Sequence, residues 1–187
     1  MKKSELRKIY KQKRKELSED IIRLNSLEIL HQLKQIDIFS FDVFHVFLPI
    51  EKQNELYTWF IIEFLKMKNK TIVVSVSDFQ TNDLKHFVLE KETILKNNSY
   101  GIPEPINVKE IDVDKIEVVF VPLLISDKNN HRVGYGKGFY DRFLSECDEN
   151  VQTIGLNFFE PIEKIEDINQ NDVSLKVIIH AKGKSIR

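Results

Sequence analysis

The residues best suited to chemistry lie in one short stretch in the C-terminal half of the chain. Three of the six glycines of the chain, Gly134, Gly136 and Gly138, alternate there, and the cations Arg132 and Lys137 lie among them. Glycine lets backbone N–H groups approach an anion closely, and the two cations add positive charge. The pattern therefore predicts a loop that binds phosphate groups.

The segments on either side of this loop are predicted to be a buried strand and a helix. Val118 to Ile125 is continuously apolar, Ser126 to His131 is polar, and apolar residues recur at helical spacing after Gly138. A helix that begins at the loop adds unpaired N–H donors and positive potential. Asp141, in its first turn, would face bound phosphates, and a carboxylate beside phosphates is typical of a divalent metal site.

The glycine stretch differs from the two commonest phosphate-binding motifs. Lys137 is followed by Gly138 and not by Ser or Thr, which excludes a P-loop, and the spacing G-x-G-x-G is not the dinucleotide fingerprint G-x-G-x-x-G. A flexible loop that is merely rich in glycine remains an alternative at this stage.

The composition indicates one domain over residues 1–187. The chain is 42% hydrophobic, carries a net charge of −1 and contains one cysteine, Cys147. The near-neutral charge favours neither nucleic acid nor membrane surfaces, and a single cysteine excludes an internal disulfide and fits a reducing compartment. The charged N-terminus does not resemble a signal peptide. We therefore expect a cytoplasmic protein that binds neither nucleic acid nor membranes. A monomer is the default expectation.

The N-terminal third is predicted to form two helices. Lys2 to Leu17 is basic and amphipathic, and Ser18 is a good N-cap for a second helix that runs to about Lys34. The apolar residues expected to face inward on the second helix are Ile21, Leu24, Leu27 and Leu33. The basic helix is open to three interpretations, which are a solvated amphipathic face, a nucleic-acid contact and a phosphate contact.

The remaining chain alternates strands and helices, which predicts an α/β fold with a mostly parallel sheet. The predicted strands are Val43–Leu48, Thr71–Val76, Leu84–Leu89, Val118–Ile125, Val151–Leu156 and Leu175–His180. A helix with Trp59 and Phe60 buried is predicted over Leu56–Lys66, and a long loop over Thr93–Glu110. Glu55, just before that helix, is either a ligand-binding carboxylate or an exposed acid that complements the helix dipole.

The run from Asp127 to Asp141 resembles the signature of the 5-formyltetrahydrofolate cyclo-ligase family. In that family the loop reads roughly D-x-x-G-x-R-L-G-x-G-x-G-Y-Y-D and holds ATP phosphates. Here Asn130 replaces a glycine, Val133 a leucine and Phe139 a tyrosine. Asn tolerates the left-handed backbone conformation better than other non-glycine residues, so the loop can accommodate the first change.

Further segments carry the same resemblance. Lys3 and Arg7 match a K-x-x-x-R on the first helix that reaches ATP, Glu55 matches a glutamate that contacts the pterin ring, and the run Gly101–Pro105 is typical of the family. One departure is Ser75-Val76-Ser77, where many members have Pro followed by Arg or Lys, and it puts one cationic contact in doubt.

The resemblance implies a three-layer, Rossmann-like sandwich with helices on both faces of the sheet. It also implies an enzyme that uses ATP and Mg²⁺ to cyclise 5-formyltetrahydrofolate to 5,10-methenyltetrahydrofolate. The implied ATP-binding residues are Lys3, Arg7, Arg132, Val133, Gly134, Tyr135, Gly136, Lys137, Gly138, Phe139 and Tyr140. The implied folate-binding residues are Leu48, Ile50, Glu55, Glu104 and Tyr140, the metal ligands are Asp141 and Asp172, and the catalytic residues are Lys137 and Arg132.

Two other function classes remain open from the sequence. A sugar-phosphate isomerase or an acyl-CoA transferase on a related α/β fold would need a carboxylate base near the glycine loop and no ATP. A nucleic-acid-binding module would use the basic N-terminal helix, and the near-neutral charge of the chain counts against it. The fold alone does not select among these classes.

Overall fold

The computed structural model describes residues 1–106 and 108–186 of the chain. The helices in this part are α1 (Lys3–Lys15), α2 (Glu19–Leu33), α3 (Trp59–Met67) and α4 (Phe139–Glu146). The strands are β1 (Val43–His45), β2 (Thr71–Asp78), β3 (Asp83–Val88), β4 (Ile94–Asn97), β5 (Pro103–Ile106), β6 (Val118–Pro122), β7 (Ile125–Ser126), β8 (Arg132–Val133), β9 (Gln152–Asn157), β10 (Val177–His180) and β11 (Gly183–Ile186). None of the helices in the described ranges is long and apolar enough to span a lipid bilayer.

The central sheet is mostly parallel, as the alternation of elements predicted. Among the described residues its strand order is β11-β10-β9-β6-β1-β2-β3. The pairs β1–β2, β1–β6, β6–β9 and β9–β10 are parallel, whereas the edge strands β3 and β11 run antiparallel to their neighbours. Because β1, β2 and β6 are parallel neighbours, the segments that follow them emerge at the same edge of the sheet.

Apolar side chains on the central strands pack in two clusters. Phe120 lies in a cluster with residues of α2 and α3, whereas its neighbours Val119 and Val121 lie in a second cluster with Phe143 and Leu144 of α4. Successive side chains of a strand point to opposite faces. Helices therefore cover both faces, and the continuous apolar run of β6 is explained by burial on each side.

Helix α2 begins as predicted but buries a different face. Ser18 caps it by accepting a hydrogen bond from the Ile21 N–H at 3.3 Å. However, Ile21, Leu24 and Leu27 are 42%, 54% and 47% exposed, and only Leu33 of the expected set is buried. The buried positions are Ser26, Ile29, Leu30 and Leu33. Apolar residues surround most of this helix, so periodicity alone did not identify the face that contacts the sheet.

Three other local predictions are corrected. The segment predicted as a long loop contains the antiparallel hairpin β4–β5. Its second strand holds Pro103 and Pro105. Proline has no backbone N–H, and an edge strand tolerates this because not every N–H there takes part in pairing. In α3 the fully buried residues are Ile61, Ile62 and Leu65, whereas Trp59 and Phe60 are only partly buried. The C-terminal strand β11 was not predicted.

Candidate active site

A cavity of about 510 Å³ opens at the edge of the sheet where β1, β2 and β6 end. Its wall is built from the segment after β1, the end of β2, helix α1 and the glycine loop that leads into α4. Ligands of open α/β sheets bind at this position, outside the carboxyl ends of the strands. The glycine loop predicted from sequence therefore faces a cavity at the position where such sheets bind ligands.

Two glycines of the loop adopt the left-handed backbone conformation, as does Asn130, for which the sequence indicated it. Gly136 and Gly138 have φ values of 93° and 75°, and Gly138 is the N-cap of α4, as predicted. Arg7 donates from Nε to the carbonyl oxygen of Gly134 at 3.0 Å. A Cβ atom on Gly136 would lie 2.9 Å from the guanidinium carbon of Arg7. Position 136 therefore requires glycine for its backbone and for the close approach of Arg7.

Two ion pairs join carboxylates and cations beside the loop. Arg132 donates from Nη2 to Asp141 Oδ1 at 2.7 Å, and Lys3 donates to Asp172 Oδ2. Asp172 also accepts from the Asn169 N–H at 2.7 Å. Burial raises the pKa of Asp172, but this N–H and the Lys3 ammonium outweigh it, so the pKa lies below the ordinary value. Both carboxylates line the cavity, where their oxygens are available as ligands for a cation.

Asp141 and Asp172 are the residues that could hold a metal ion. The described part of the chain contains no group of three or more His, Cys, Asp or Glu side chains with metal-binding geometry. Mg²⁺ suits a site with one or two carboxylates, because it retains waters and takes further oxygens from substrate phosphates. The carboxylates of Asp141 and Asp172, which both line the cavity with the glycine loop, fit that donor set.

Glu55 is buried and is not the exposed first-turn acid of the alternative interpretation. It lies four residues before α3, and only 6% of its surface is exposed. Its Oε1 accepts from the Tyr135 hydroxyl at 2.5 Å, and its Oε2 accepts from the Ile50 N–H at 2.9 Å. Burial raises the pKa of Glu55 above its ordinary value, although these partners and Arg14 act against the rise.

Three adjacent strands contribute a chain of polar side chains at the cavity wall, in which two buried histidines flank a partly buried serine. His45 Nε2 lies 2.8 Å from the Ser75 hydroxyl, which lies 2.9 Å from His86 Nδ1. Burial lowers the pKa of His45 well below its ordinary value and lowers that of His86 to about 4. Ser75 and Ser77, which alternate on β2, both line the cavity. Neutral polar groups thus lie at the departure from the resembled pattern, where a cationic contact was in doubt.

Aromatic side chains form one end of the cavity. The Phe79 ring lies 4.6 Å from Tyr100 and 5.5 Å from Phe139, measured between ring centroids. Tyr100 and Phe79 are 63% and 38% exposed, and both line the cavity. Such a surface suits the face of a planar heterocycle.

Most of the residues expected to bind ATP, folate or metal line this one cavity. They are Lys3, Arg7, Leu48, Ile50, Glu55, Arg132, Gly134, Tyr135, Gly136, Lys137, Gly138, Phe139, Tyr140, Asp141 and Asp172. Val133 and Glu104 do not line it. The Val133 side chain is fully buried in the core, and Glu104 accepts from Asn98 Nδ2 at 2.8 Å while its neighbour Pro103 faces the cavity. Alternation along β5 explains this placement of Glu104.

The sequence interpretation missed several residues of the site. Lys11 lines the cavity. Arg14 does not line it but is buried, with 6% of its surface exposed, and donates a hydrogen bond to Tyr135, which does. Both continue the helical face of Lys3 and Arg7 at spacings of four and seven residues, a signal that could have identified them. The serines of β2 share one face for the same kind of reason, since they alternate along the strand.

The chain matches the model of the 5-formyltetrahydrofolate cyclo-ligase family over residues 1–181. It is similar to the 5-formyltetrahydrofolate cyclo-ligase of Mycoplasma genitalium, with 31% identity over 144 residues that cover 72% of this chain and 84% of the relative. It is also similar to that of Haemophilus influenzae, with 31% identity over 160 residues that cover 81% of this chain and 78% of the relative.

Two solved structures have the same fold over nearly the whole chain. The solution structure of Aquifex aeolicus 5,10-methenyltetrahydrofolate synthetase matches with a TM-score of 0.84 at 24% identity, covering 100% of this chain and 93% of the other. The 5,10-methenyltetrahydrofolate synthetase of Mycoplasma pneumoniae matches with a TM-score of 0.75 at 26% identity, covering 96% and 98%.

Proposed function

Since the chain belongs to the 5-formyltetrahydrofolate cyclo-ligase family, its activity is the cyclisation of 5-formyltetrahydrofolate to 5,10-methenyltetrahydrofolate, and we propose that ATP drives it by phosphorylating the formyl oxygen. The observation that supports this proposal is the cavity itself, which places a glycine loop, cations and carboxylates beside a buried glutamate and an aromatic wall. Family membership sets aside the isomerase and acyl-CoA transferase alternative.

The chemical difficulty is that a formamide carbonyl is a poor electrophile and its oxygen a poor leaving group. In the proposed sequence the γ-phosphoryl group moves from ATP to the formyl oxygen, and the bond to the β-phosphate breaks to release ADP. The neighbouring folate nitrogen then attacks the formyl carbon, loses its proton and closes the ring. The carbon–oxygen bond breaks last and releases phosphate. Phosphoryl transfer of this kind depends on positioning and on stabilisation of charge.

The residues of the loop are suited to those two tasks. Gly134, Gly136 and Gly138 line the cavity at the start of α4, and phosphate oxygens bound there would accept from backbone N–H groups of this loop. Lys137 lines the cavity with an exposed side chain, which is able to reach the migrating phosphoryl group. Arg7 and Arg132 are fixed by hydrogen bonds to the loop and to Asp141. They would supply fixed positive charge without reorganisation during the reaction.

Asp141 and Asp172 would hold Mg²⁺, which would neutralise phosphate charge when it is bound with ATP. Lys3, the present ion-pair partner of Asp172, would then be free to contact phosphate oxygens. In the same cavity, Leu48 and Ile50 offer apolar contacts, and Glu55 offers a carboxylate to the N–H donors of the pterin ring. Tyr140, on the first turn of α4, also lines the cavity, and the charges of both Glu55 and Arg132 act on its hydroxyl.

The test is formation of the methenyl product, followed by its absorbance, after purified protein is mixed with 5-formyltetrahydrofolate and magnesium-ATP. Product that forms only when both ATP and Mg²⁺ are present supports the proposal. Product that forms without ATP would overturn the phosphorylation step. A folded protein that binds ATP and leaves the formyl-folate unchanged would contradict the assignment of substrate. The cytoplasmic location, the monomeric state and the absence of nucleic-acid binding stay predictions.

A further inference from the structure

The buried carboxylate of Glu55 is the end of a directed chain of hydrogen bonds. Arg14 Nη1 donates to the Tyr135 hydroxyl at 3.0 Å, and that hydroxyl donates to Glu55 Oε1 at 2.5 Å. Arg14 Nη1 also lies 3.8 Å from Glu55 Oε1, and Nη2 is anchored on the Leu123 carbonyl oxygen at 2.7 Å. All of these contacts join groups from different parts of the chain.

The direction of these bonds follows from the chemistry of the partners. A guanidinium can only donate, so the Tyr135 hydroxyl accepts from Arg14 and has its single proton free for Glu55. An ionised carboxylate is the acceptor that such a donor requires. Both oxygens of Glu55 already accept a hydrogen bond, so a proton on either oxygen would point toward an existing donor. The arrangement therefore favours the ionised form of a side chain that is only 6% exposed.

The electrostatic surroundings of Glu55 make this support necessary. Burial raises the pKa of the carboxyl, whereas Arg14, Tyr135 and the Ile50 N–H lower it. The other titratable group that faces it is Tyr140 of α4, whose own pKa is raised by burial and by the charge of Glu55. Further out, the Lys11 ammonium lies 5.2 Å from the centre of the Tyr135 ring. Without Arg14 and Tyr135, only the Ile50 N–H would oppose the rise that burial causes in the pKa of Glu55.

We propose that Arg14 and Tyr135 are positioning residues that keep the Glu55 carboxylate ionised and fixed toward the reduced-folate ring. The inference rests on the proposed function of the cavity and adds two residues to it. An aminopyrimidine edge presents adjacent N–H donors, and only a carboxylate can accept from both of them. Arg14 lies behind Glu55, so it acts through Tyr135 and Glu55. Tyr135 belongs to the glycine loop, so the same side chain links the loop to the folate end of the cavity.

The sharpest perturbation is Tyr135→Phe, which removes one hydroxyl and retains the ring. We expect KM for 5-formyltetrahydrofolate to rise about tenfold, because a hydrogen bond to a charged group is lost. The KM for ATP should change much less. The acid limb of the pH profile of kcat/KM for the folate should move to higher pH, since the Glu55 pKa rises when its donor is removed.

Two further variants separate positioning from simple packing. Tyr10→Phe is the matched control, since Tyr10 is a buried tyrosine on the same helix as Arg14 and does not line the cavity. It should leave KM and the acid limb unchanged. Arg14→Lys retains a positive charge and should move the acid limb less than Arg14→Met, even if both variants lose some thermal stability.

A direct titration gives a readout that does not depend on turnover. Protein labelled with ¹³C at glutamate carboxyl carbons is titrated by NMR, and the Glu55 signal is assigned by its loss in Glu55→Gln. We expect that signal to titrate at higher pH in Tyr135→Phe than in wild type. An unchanged Glu55 titration, or equal rises in KM for ATP and for folate, would overturn the inference. A wild-type protein that forms no methenyl product would instead contradict the proposed function.

Discussion

The paired histidines at the cavity wall should make the protein lose stability in mild acid. Folding lowers the pKa of His86 from 6.5 to about 4 because its ring is buried, and only 6% of the residue is exposed. Between these two values the unfolded chain binds a proton that the folded chain excludes, so stability falls as pH falls from 6.5 toward 4. Well above pH 6.5 the ring is neutral in both states, so His86 no longer lowers the free energy of unfolding.

The size of the effect follows from the two pKa values. At pH 5 the unfolded imidazole is almost fully protonated, whereas about one tenth of folded His86 is. The difference destabilises the folded state by about 2 kcal/mol between pH 7 and pH 5. His45 acts in the same direction, since its pKa is also lowered by burial. Glu55 acts in the opposite direction because its pKa is raised.

Urea unfolding of matched variants at pH 7 and pH 5 isolates the contribution of His86. His86→Gln keeps an amide that is able to bond Ser75 but cannot titrate, so its stability should fall by about 2 kcal/mol less than that of wild type over this range. His31→Gln replaces an exposed imidazole on α2 and controls for the loss of one histidine. Equal losses in wild type and His86→Gln would refute the assignment of the acid sensitivity to this buried pair.

Three other substitutions test the loop and the sheet. Lys137→Ala should lower kcat about a hundredfold without a change in thermal stability. The control Lys128→Ala, which removes an exposed lysine outside the cavity, should not alter kcat. A Lys137→Ala enzyme with the kcat of wild type would contradict the proposed contact with the phosphoryl group. Gly136→Ala should raise KM for ATP about tenfold, because a Cβ atom there would strain the backbone and displace Arg7, and unchanged ATP kinetics would contradict that geometry. Gly155→Ala should lower the free energy of unfolding in urea by about 1–3 kcal/mol. Its Cβ atom would lie only 2.6–2.7 Å from the ends of three buried side chains. A free energy of unfolding equal to that of wild type would contradict this tight packing.

The sequence was sufficient for the fold class and for the part of the site that is local in the chain. The strand, glycine loop and helix after Gly138 could be predicted because turn chemistry and periodicity act over a few residues. The face of α2 could not, since apolar residues such as Leu24 and Ile29 lie on opposite sides and only the sheet selects between them. The contacts that join Glu55 to Tyr135 and Arg14 could not be predicted either.

Those partners were missed for a physical reason. Tyr135 is 80 positions from Glu55, and Arg14 is 121 positions from Tyr135, so nothing in the local sequence indicates their contact. The serines of β2 illustrate a different limit. Ser75 alternates in a strand like any half-buried polar residue, and only the sheet order, which places β1, β2 and β3 side by side, brings it between two histidines.

The long separations across α1 also bear on the order in which the molecule folds. Arg7 and Gly134 are 127 positions apart, and Lys3 and Asp172 are 169 apart. Contacts of such high sequence separation carry a large loop-closure entropy and slow folding. During synthesis α1 emerges first, yet its buried residue Leu6 packs in a cluster with Leu124 and Ile165. The first helix can therefore pack only after most of the chain has been made, and the cavity wall that contains Lys3 and Arg7 is completed late.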